Sequence, residues 1–209
     1  MSVSPARDLS TTLLADAGAR VMSAGIKPLR AGWHVHGRAL TVSVDAGDNL
    51  AIHAALAQAR PGEVLVIDAQ GYLDRAVMGG IMCAQAAAVG LAGVIIDGAM
   101  RDLAELRAGT LPAYALGGSP AGPTKRGGGT VRRAIRCGGV DVRPGDWIMA
   151  DDDGVVVYRD DEAEAVLAAT LAKQQAEAAR MAAIARGELR PAWLDDALAR
   201  APIDTGKSA

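Results

Sequence analysis

The stretch Gly93-Val-Ile-Ile-Asp-Gly-Ala-Met-Arg-Asp-Leu103 constrains the fold more than any other part of the chain. Its first four residues are apolar without a break, and Val94, Ile95 and Ile96 are all β-branched. A run with no in–out alternation predicts a short strand covered on both faces. A second run, Val64-Leu-Val-Ile67, lies within residues 63–69 and has the same character. Between the two, residues 81–89 are alanine-rich, follow Gly79-Gly80 and stop at Gly90, which predicts a helix. Strand, helix and strand at this spacing imply a βαβ unit with parallel strands. Asp97-Gly98 reads as a turn closing the strand, and Leu103 to Leu106 as the start of a short helix. Arg101 and Asp102 then sit at the carboxyl end of a buried strand, just before a helix. Open α/β sheets place ligand sites there. The spacing alone leaves a second reading open, an exposed cation and anion in a polar loop.

The rest of the chain supplies partners for this unit. Residues 9–24 read as a helix capped by Ser10, Thr11 or Thr12 and ended by Gly25 and Pro28. Residues 33–44 read as a strand, and Leu50 to Ala59 as a helix capped by Asp48 or Asn49. Further strands are expected at 111–116, Val131–Arg136 and Val140–Val142. Trp147–Ala150 and Val155–Tyr158 read as a hairpin around Asp151-Asp-Asp-Gly154. Asp160 to Arg186 reads as a long helix, acidic at its start and basic at its end, as the helix dipole favours. A short helix, Pro191 to Arg200, and a loose tail follow. The expected division is an α/β domain over residues 1–187 and a helical extension over 188–209.

Composition removes several function classes. The net charge of −2 provides no global field for nucleic acid or an anionic membrane. Arg107 to Val140 holds six basic residues and no acid, enough to attract an anion or RNA. Tyr114 is its only aromatic, so a base-stacking platform is not expected, and the segment reads as a solvated or interface loop. Cys83 and Cys137 form no CxxC pair, which suits reduced thiols in the cytoplasm. No apolar run reaches the roughly 18 residues of a membrane span, and Arg7, Asp8 and Asp16 interrupt any signal-peptide core. His34 and His36 share a strand face, yet no neighbouring Cys, Asp or Glu completes a metal shell. His53 reads as an interior or interface residue. Asp151, Asp152 and Asp153 are consecutive and fail the calcium-loop spacing, so they read as a turn.

Asp97-Gly-Ala-Met-Arg-Asp102 resembles the D-G-x-x-R-D signature of the RraA-like family. That family holds class II 4-hydroxy-4-methyl-2-oxoglutarate aldolases, which also decarboxylate oxaloacetate, and the RraA regulators of ribonuclease E. Further phrases agree in order: Gly37-Arg-Ala-Leu-Thr41, Gly47-Asp-Asn49, Pro61-Gly-Glu-Val-Leu-Val66, Cys137-Gly-Gly-Val140, Pro144-Gly-Asp146 and Ala150-Asp-Asp-Asp-Gly-Val155. The resemblance spans roughly residues 10–185. It implies an α/β fold, the swivelling β/β/α three-layer domain, with a parallel central sheet, a second antiparallel sheet and a C-terminal helical tail. It also implies a homo-oligomer, a trimer or a hexamer built from two trimers, with sites at subunit interfaces.

The chemistry implied is that of a metal-dependent lyase releasing pyruvate from a short 2-oxo acid. The substrates would be 4-hydroxy-4-methyl-2-oxoglutarate or 4-carboxy-4-hydroxy-2-oxoadipate, by retro-aldol cleavage, and oxaloacetate, by decarboxylation. Both reactions pass through an enolate that Mg²⁺ or Mn²⁺ stabilises. The resemblance assigns Arg101 to the pyruvyl carboxylate and keto oxygen, and Asp102 to the metal. It assigns the backbone amides of Gly79, Gly80, Ile81 and Met82 to the substrate carboxylate, and Glu177 of a neighbouring subunit to proton relay. Physical reasoning supports these roles. Helix-opening N–H groups favour an anion, a guanidinium forks onto two oxygens, and a hard cation takes carboxylate and water oxygens. Many such aldolases carry an acid after the glycine that opens this helix. Here that position is Gly80, so the metal is expected to rest on Asp102 and water. The alternative implied by the same resemblance is a non-catalytic regulator that binds a ribonuclease, through a patch such as basic segment 125–136. Methyl transfer finds no support, because no strand–G-x-G-x-x-G–helix unit is present.

Overall fold

The computed structural model describes residues 9–201 and 203. In chain order the elements are α1 (Thr11–Asp16), β1 (Arg20–Val21), β2 (Lys27–Pro28), β3 (Val35–Val44), α2 (Leu50–Leu56), β4 (Glu63–Asp68), β5 (Ala76–Met78), α3 (Gly80–Val89), β6 (Gly93–Met100), α4 (Leu103–Ala108), β7 (Ala113–Gly118), β8 (Gly129–Val131), β9 (Ile135–Cys137), β10 (Val140–Val142), β11 (Trp147–Ala150), β12 (Val155–Tyr158), α5 (Ala163–Ala185) and α6 (Leu194–Arg200).

The continuous aliphatic runs form the middle of the main sheet. Its order is β1-β12-β11-β3-β4-β6-β7-β2, with β5 also on β6 and β8 also on β3. Strands β3, β4, β6 and β7 run parallel, as does β5 against β6. Antiparallel strands flank this centre: β11, β12 and β1 on one side, β2 at the other edge, and β8 against the last residues of β3. The second sheet is the β9–β10 hairpin. The expected α/β architecture is therefore present, with a parallel centre inside a mixed main sheet. Every residue of Val64–Ile67 and Val94–Ile96 is fully buried, as unbroken apolar strands require. Each such side chain stabilises the fold by about 1.5–3 kcal/mol relative to exposure. With no Phe available, Tyr114 and Tyr158 are the largest fully buried side chains. Tyr114 satisfies its hydroxyl by donating to Trp33 O at 2.8 Å.

Local differences from the sequence reading have physical causes. The predicted helix over 9–24 is only Thr11–Asp16. Gly18 takes φ +101 and stops it, and Arg20–Val21 then gains ladder pairing with β12. Asp97-Gly98 is not a turn: β6 continues to Met100, and its pairing with β7 slips between Ile96 and Ala99. The extra residue is a β-bulge, which re-aims the end of the strand. The predicted strand Val131–Arg136 is broken at Arg132, which takes φ +53 and turns its guanidinium onto Glu63 at 2.7 and 2.9 Å. Short strands β2 and β5 had no sequence signal of their own.

The chain divides inside α5, with one compact unit ending at Thr170 and the second starting at Leu171. In the second unit, Met181, Leu189 and Trp193 are exposed. The loose tail expected after Arg200 lies almost wholly outside the described residues. Among the described residues no helix is long and apolar enough to cross a membrane.

Candidate active site

The end of β6 and the start of α3 are locked together by backbone. Arg101 donates its N–H to Met78 O at 3.0 Å, and Gly80 donates its N–H to Asp102 Oδ2 at 2.9 Å. Gly79, the residue before α3, has extended backbone (φ −155) and offers no cap from a side chain. It is glycine for reasons of space. A Cβ there would lie 2.5 Å from Asp102 Oδ2 and 2.7 Å from Arg101 Cγ. Gly122 is similarly pressed, its Cβ position lying 2.8 Å from Arg101 Nη1. Two backbone surfaces without side chains thus cradle Arg101.

Asp102 precedes α4 yet does not cap it. It sits in the left-handed region (φ 60, ψ 35), a conformation that costs about 1–3 kcal/mol for a residue with a side chain. The strain goes with a carboxylate turned toward α3. Arg101 Nε lies 3.6 Å from Asp102 Oδ2, and their side chains are 41% and 42% exposed. An ion pair so open to solvent adds only about 0–1 kcal/mol, and both groups remain reachable. The first N–H groups of a helix have no partner within it. Gly80's goes to Asp102, while those of Ile81 and Met82 have none among the described residues. Ile81 is 84% exposed.

A cavity of about 130 Å³ opens beside this junction, lined by Asn49, His53, Met78, Gly79, Arg101 and Lys125 among others. Asn49 is 2% exposed. Its Nδ2 donates to Val77 O at 3.1 Å and to Met82 Sδ at 3.2 Å, which fixes its orientation. Its Oδ1 is buried without a partner, and so is His53 Nε2. Buried polar atoms are nearly always paired, and these two belong to residues that line the same cavity. Cys83, one turn into α3, is no nucleophile: burial, then the charges of Asp102 and Glu105, push its thiol up to about 12.

The first unit brings together Gly79, Gly80, Ile81, Met82, Arg101 and Asp102, the residues the sequence singled out there. Glu177 is exposed on α5 in the second unit. Three lining residues were missed. Asp48 and Asn49 were the two expected caps of α2; Asp48 accepts from Leu50 N–H at 2.8 Å, while the Asn49 side chain caps nothing. Asn49 and His53 are four apart on α2 and so share a face, a signal that was available. Lys125 lies in a Gly/Pro-rich loop and was read only as part of the basic segment able to attract an anion. His36 shares a hydrogen bond with Tyr158 Oη at 3.0 Å and stacks on Trp147 at 4.8 Å. Asp151 accepts from the N–H and the hydroxyl of Thr11 and from Asp153 N–H, and Asp152 accepts from Gly32 N–H. Among the described residues, no three or more His, Cys, Asp or Glu side chains converge to hold a metal. One or two carboxylates with retained water suffice for Mg²⁺, and the half-exposed Asp102 beside two glycines fits that kind of site.

A match to the family described as Aldolase/RraA covers residues 7–157, well over half of the chain. A protein of Halalkalibacterium halodurans bearing the name "Putative 4-hydroxy-4-methyl-2-oxoglutarate aldolase" is 41% identical over 180 residues, 85% of this chain and 86% of the relative. A solved structure from Thermus thermophilis, described as the RNA-processing inhibitor RraA, has a TM-score of 0.67 at 32% identity, covering 72% of this chain and 92% of that one. Another, from Geobacillus kaustophilus and described as an S-adenosylmethionine: 2-dimethylmenaquinone methyltransferase, has a TM-score of 0.68 at 34% identity, covering 72% and 95%.

Proposed function

The chain belongs to the RraA-like family, and from that premise we propose that it is a divalent-metal-dependent lyase that releases pyruvate from a short 2-oxo acid. The substrates proposed are 4-hydroxy-4-methyl-2-oxoglutarate, 4-carboxy-4-hydroxy-2-oxoadipate and oxaloacetate. One observation carries the reading: Arg101 and Asp102 are held against the opening of α3, and Arg101 lines a cavity together with Lys125. The aldolase name of the Halalkalibacterium relative supports it.

Each residue has a role that follows from its chemistry. The N–H groups of Ile81 and Met82, at the positive end of α3, bind the substrate carboxylate. The Arg101 guanidinium holds the keto oxygen, where negative charge grows as the C–C bond breaks. A preorganised cation at that atom favours the transition state over the ground state. Asp102 holds the metal. Mg²⁺ or Mn²⁺, when bound, supplies Lewis acidity toward the oxygens of the 2-oxo acid. Lys125 and Arg101 make the cavity suit a dicarboxylate better than a monocarboxylate. Glu177 enters this reading only as a proton-relay group from a neighbouring subunit of a homotrimer or hexamer.

A coupled assay for pyruvate release, run on all three substrates with Mg²⁺ or Mn²⁺ and again with a chelator, tests the proposal. Release should require metal. Arg101→Ala should lower kcat/KM by about 10²–10³-fold with the unfolding midpoint unchanged. No release from any substrate with metal present, or full turnover in Arg101→Ala, would sink it. The second reading, a ribonuclease regulator, draws on the Thermus structure described as an RNA-processing inhibitor. Its suggested basic patch is weakened by Arg132, whose guanidinium is committed to Glu63. Capture of a ribonuclease together with no pyruvate release would favour it.

A further inference from the structure

Asp48 is a buried carboxylate, 3% exposed, with no ion pair among the described residues. A charge taken out of water needs a cation or strong donors in its place. Its Oδ1 accepts from Leu50 N–H at 2.8 Å, at the opening of α2. Asn or Ser makes that short-range bond as well, so it does not call for a charge. The other oxygen reaches across the fold. Oδ2 accepts from Thr124 Oγ1 and from Arg126 N–H, both at 2.7 Å and from 76 and 78 residues away in sequence. Burial opposes the charge, but the N–H groups of Leu50 and Arg126 and the Thr124 hydroxyl outweigh it and hold the carboxyl below its ordinary pKa.

Lys125 stands between the two residues that Asp48 grips, and it lines the cavity with Asn49, His53 and Arg101. Further bonds join the same two segments. Thr124 N–H donates to Gly47 O at 2.8 Å, and Asn49 N–H donates to Thr124 O at 3.1 Å. Among the described residues, every hydrogen bond of 123–126 goes to Gly47, Asp48 or Asn49. Just beyond, Gly127, Gly128 and Gly129 take φ +101, +104 and +116, where a side chain is strained. The chain thus leaves Arg126 through three residues that have no side chain to hold it.

We propose that Asp48 is a positioning residue of the lyase: by accepting on both sides of Lys125 it holds that ammonium at the cavity beside Asn49, His53 and Arg101. This rests on the lyase reading above, in which Lys125 favours a dicarboxylate substrate. An amide at position 48 is no substitute for the acid. It has one acceptor oxygen, so either Leu50 N–H or the donors at 124 and 126 would face an NH₂ group.

The test is the steady-state kinetics of pyruvate release, with Mg²⁺, from whichever of the three proposed substrates the natural chain turns over fastest. Asp48→Asn, Lys125→Ala and the double variant are compared with the natural chain, and circular dichroism confirms each fold. Each single variant should raise KM about 10-fold, the scale of one charge-assisted contact, with kcat little changed. Because Asp48 acts through Lys125, the double variant should be no worse than Lys125→Ala alone. A merely structural loss would instead lower the fraction of active protein, and so kcat, without moving KM. Thr124→Val keeps the acid and removes one of its two bonds to the segment. It should give a smaller KM rise that Lys125→Ala also absorbs, and it carries the test if Asp48→Asn does not fold. An unchanged KM, a loss confined to kcat, or a double variant worse than Lys125→Ala overturns the inference and leaves the lyase reading standing. If the natural chain releases no pyruvate from any of the three substrates, the lyase reading falls and this inference with it.

Discussion

His36 and His53 mark two regions that use the same kinds of residue in opposite ways. His36 lies near the amino end of β3, while the Arg101 junction lies at the carboxyl end of β6, and the two strands run parallel through β4. At the β3 end the rings of His36, Trp147 and Tyr158 and the Arg38 guanidinium partner one another and Asp160. His36 stacks on Trp147, which stacks on Tyr158 at 6.3 Å. Arg38 covers Trp147 at 4.0 Å and reaches Asp160 at 2.7 Å. Antiparallel register makes these meetings automatic, since Trp147 is opposite Arg38 and Met149 opposite His36. At the β6 end the strands have stopped, and the groups come from several loops and helix starts. There His53 Nε2 and Asn49 Oδ1 stay unpaired, and Asp102 is held in a strained conformation. A satisfied cluster contributes stability. An unsatisfied one, held by rigid backbone, has bonding capacity left for a ligand.

The sharpest way to break this contrast is Gly79→Ala. Its extended backbone tolerates a side chain, but the new Cβ must displace Asp102 Oδ2 or the Arg101 side chain. A shift near 1 Å in a positioned group costs about 10²-fold in rate. Pyruvate release should fall by about that factor, with the thermal unfolding midpoint within the error of the natural protein. Full activity in Gly79→Ala would mean that the tight junction is only packing.

The converse substitution is Tyr158→Phe. Tyr158 is buried, and that burial pushes its hydroxyl up to about 12, so it stays protonated in its bond to His36. Removing the hydroxyl should lower unfolding free energy by about 1 kcal/mol in a denaturant titration. Turnover should not change. A loss of turnover instead of stability would erase the division between the two regions.

The parallel centre of the fold was legible because its strands are buried on both faces, and such strands must be continuously apolar. Val64–Ile67 and Val94–Ile96 are short and rich in β-branched residues, which favours strands over helices. The helix start at Gly79-Gly80 and the pair Arg101-Asp102 were legible as the ends of those elements. Where the reading went astray, tertiary partners decided. Residues 17–24 have helical composition, but β12 offered an open edge, and Gly18 allowed the chain to reach it. Asp97-Gly98 has turn chemistry, yet strands on both sides held β6 together through a bulge. Lys125 reaches the cavity from a loop distant in sequence, and its basic neighbourhood does not encode which surface it meets.

The smallest expected effect concerns pH and again separates the two histidines. Burial, then the nearby charges of His34 and Arg38, holds the pKa of His36 below its ordinary value. The unfolded chain therefore binds a proton at His36 at a pH where the folded protein does not. Between the two pKa values the unfolded state carries more protons, so stability rises with pH there. The contribution is complete above the unfolded value, about 6.5, and is lost as pH falls through the folded one. Unfolding free energy, measured by denaturant at a series of pH values, should decline as pH drops below that point. His36→Phe keeps a ring against Trp147 but cannot take up a proton, so it should flatten this part of the profile while leaving pyruvate release at high pH unchanged. An equal decline in His36→Phe would assign the acid sensitivity to other groups. It would also remove His36 as a neutral, satisfied member of the cluster, the property that sets it apart from His53.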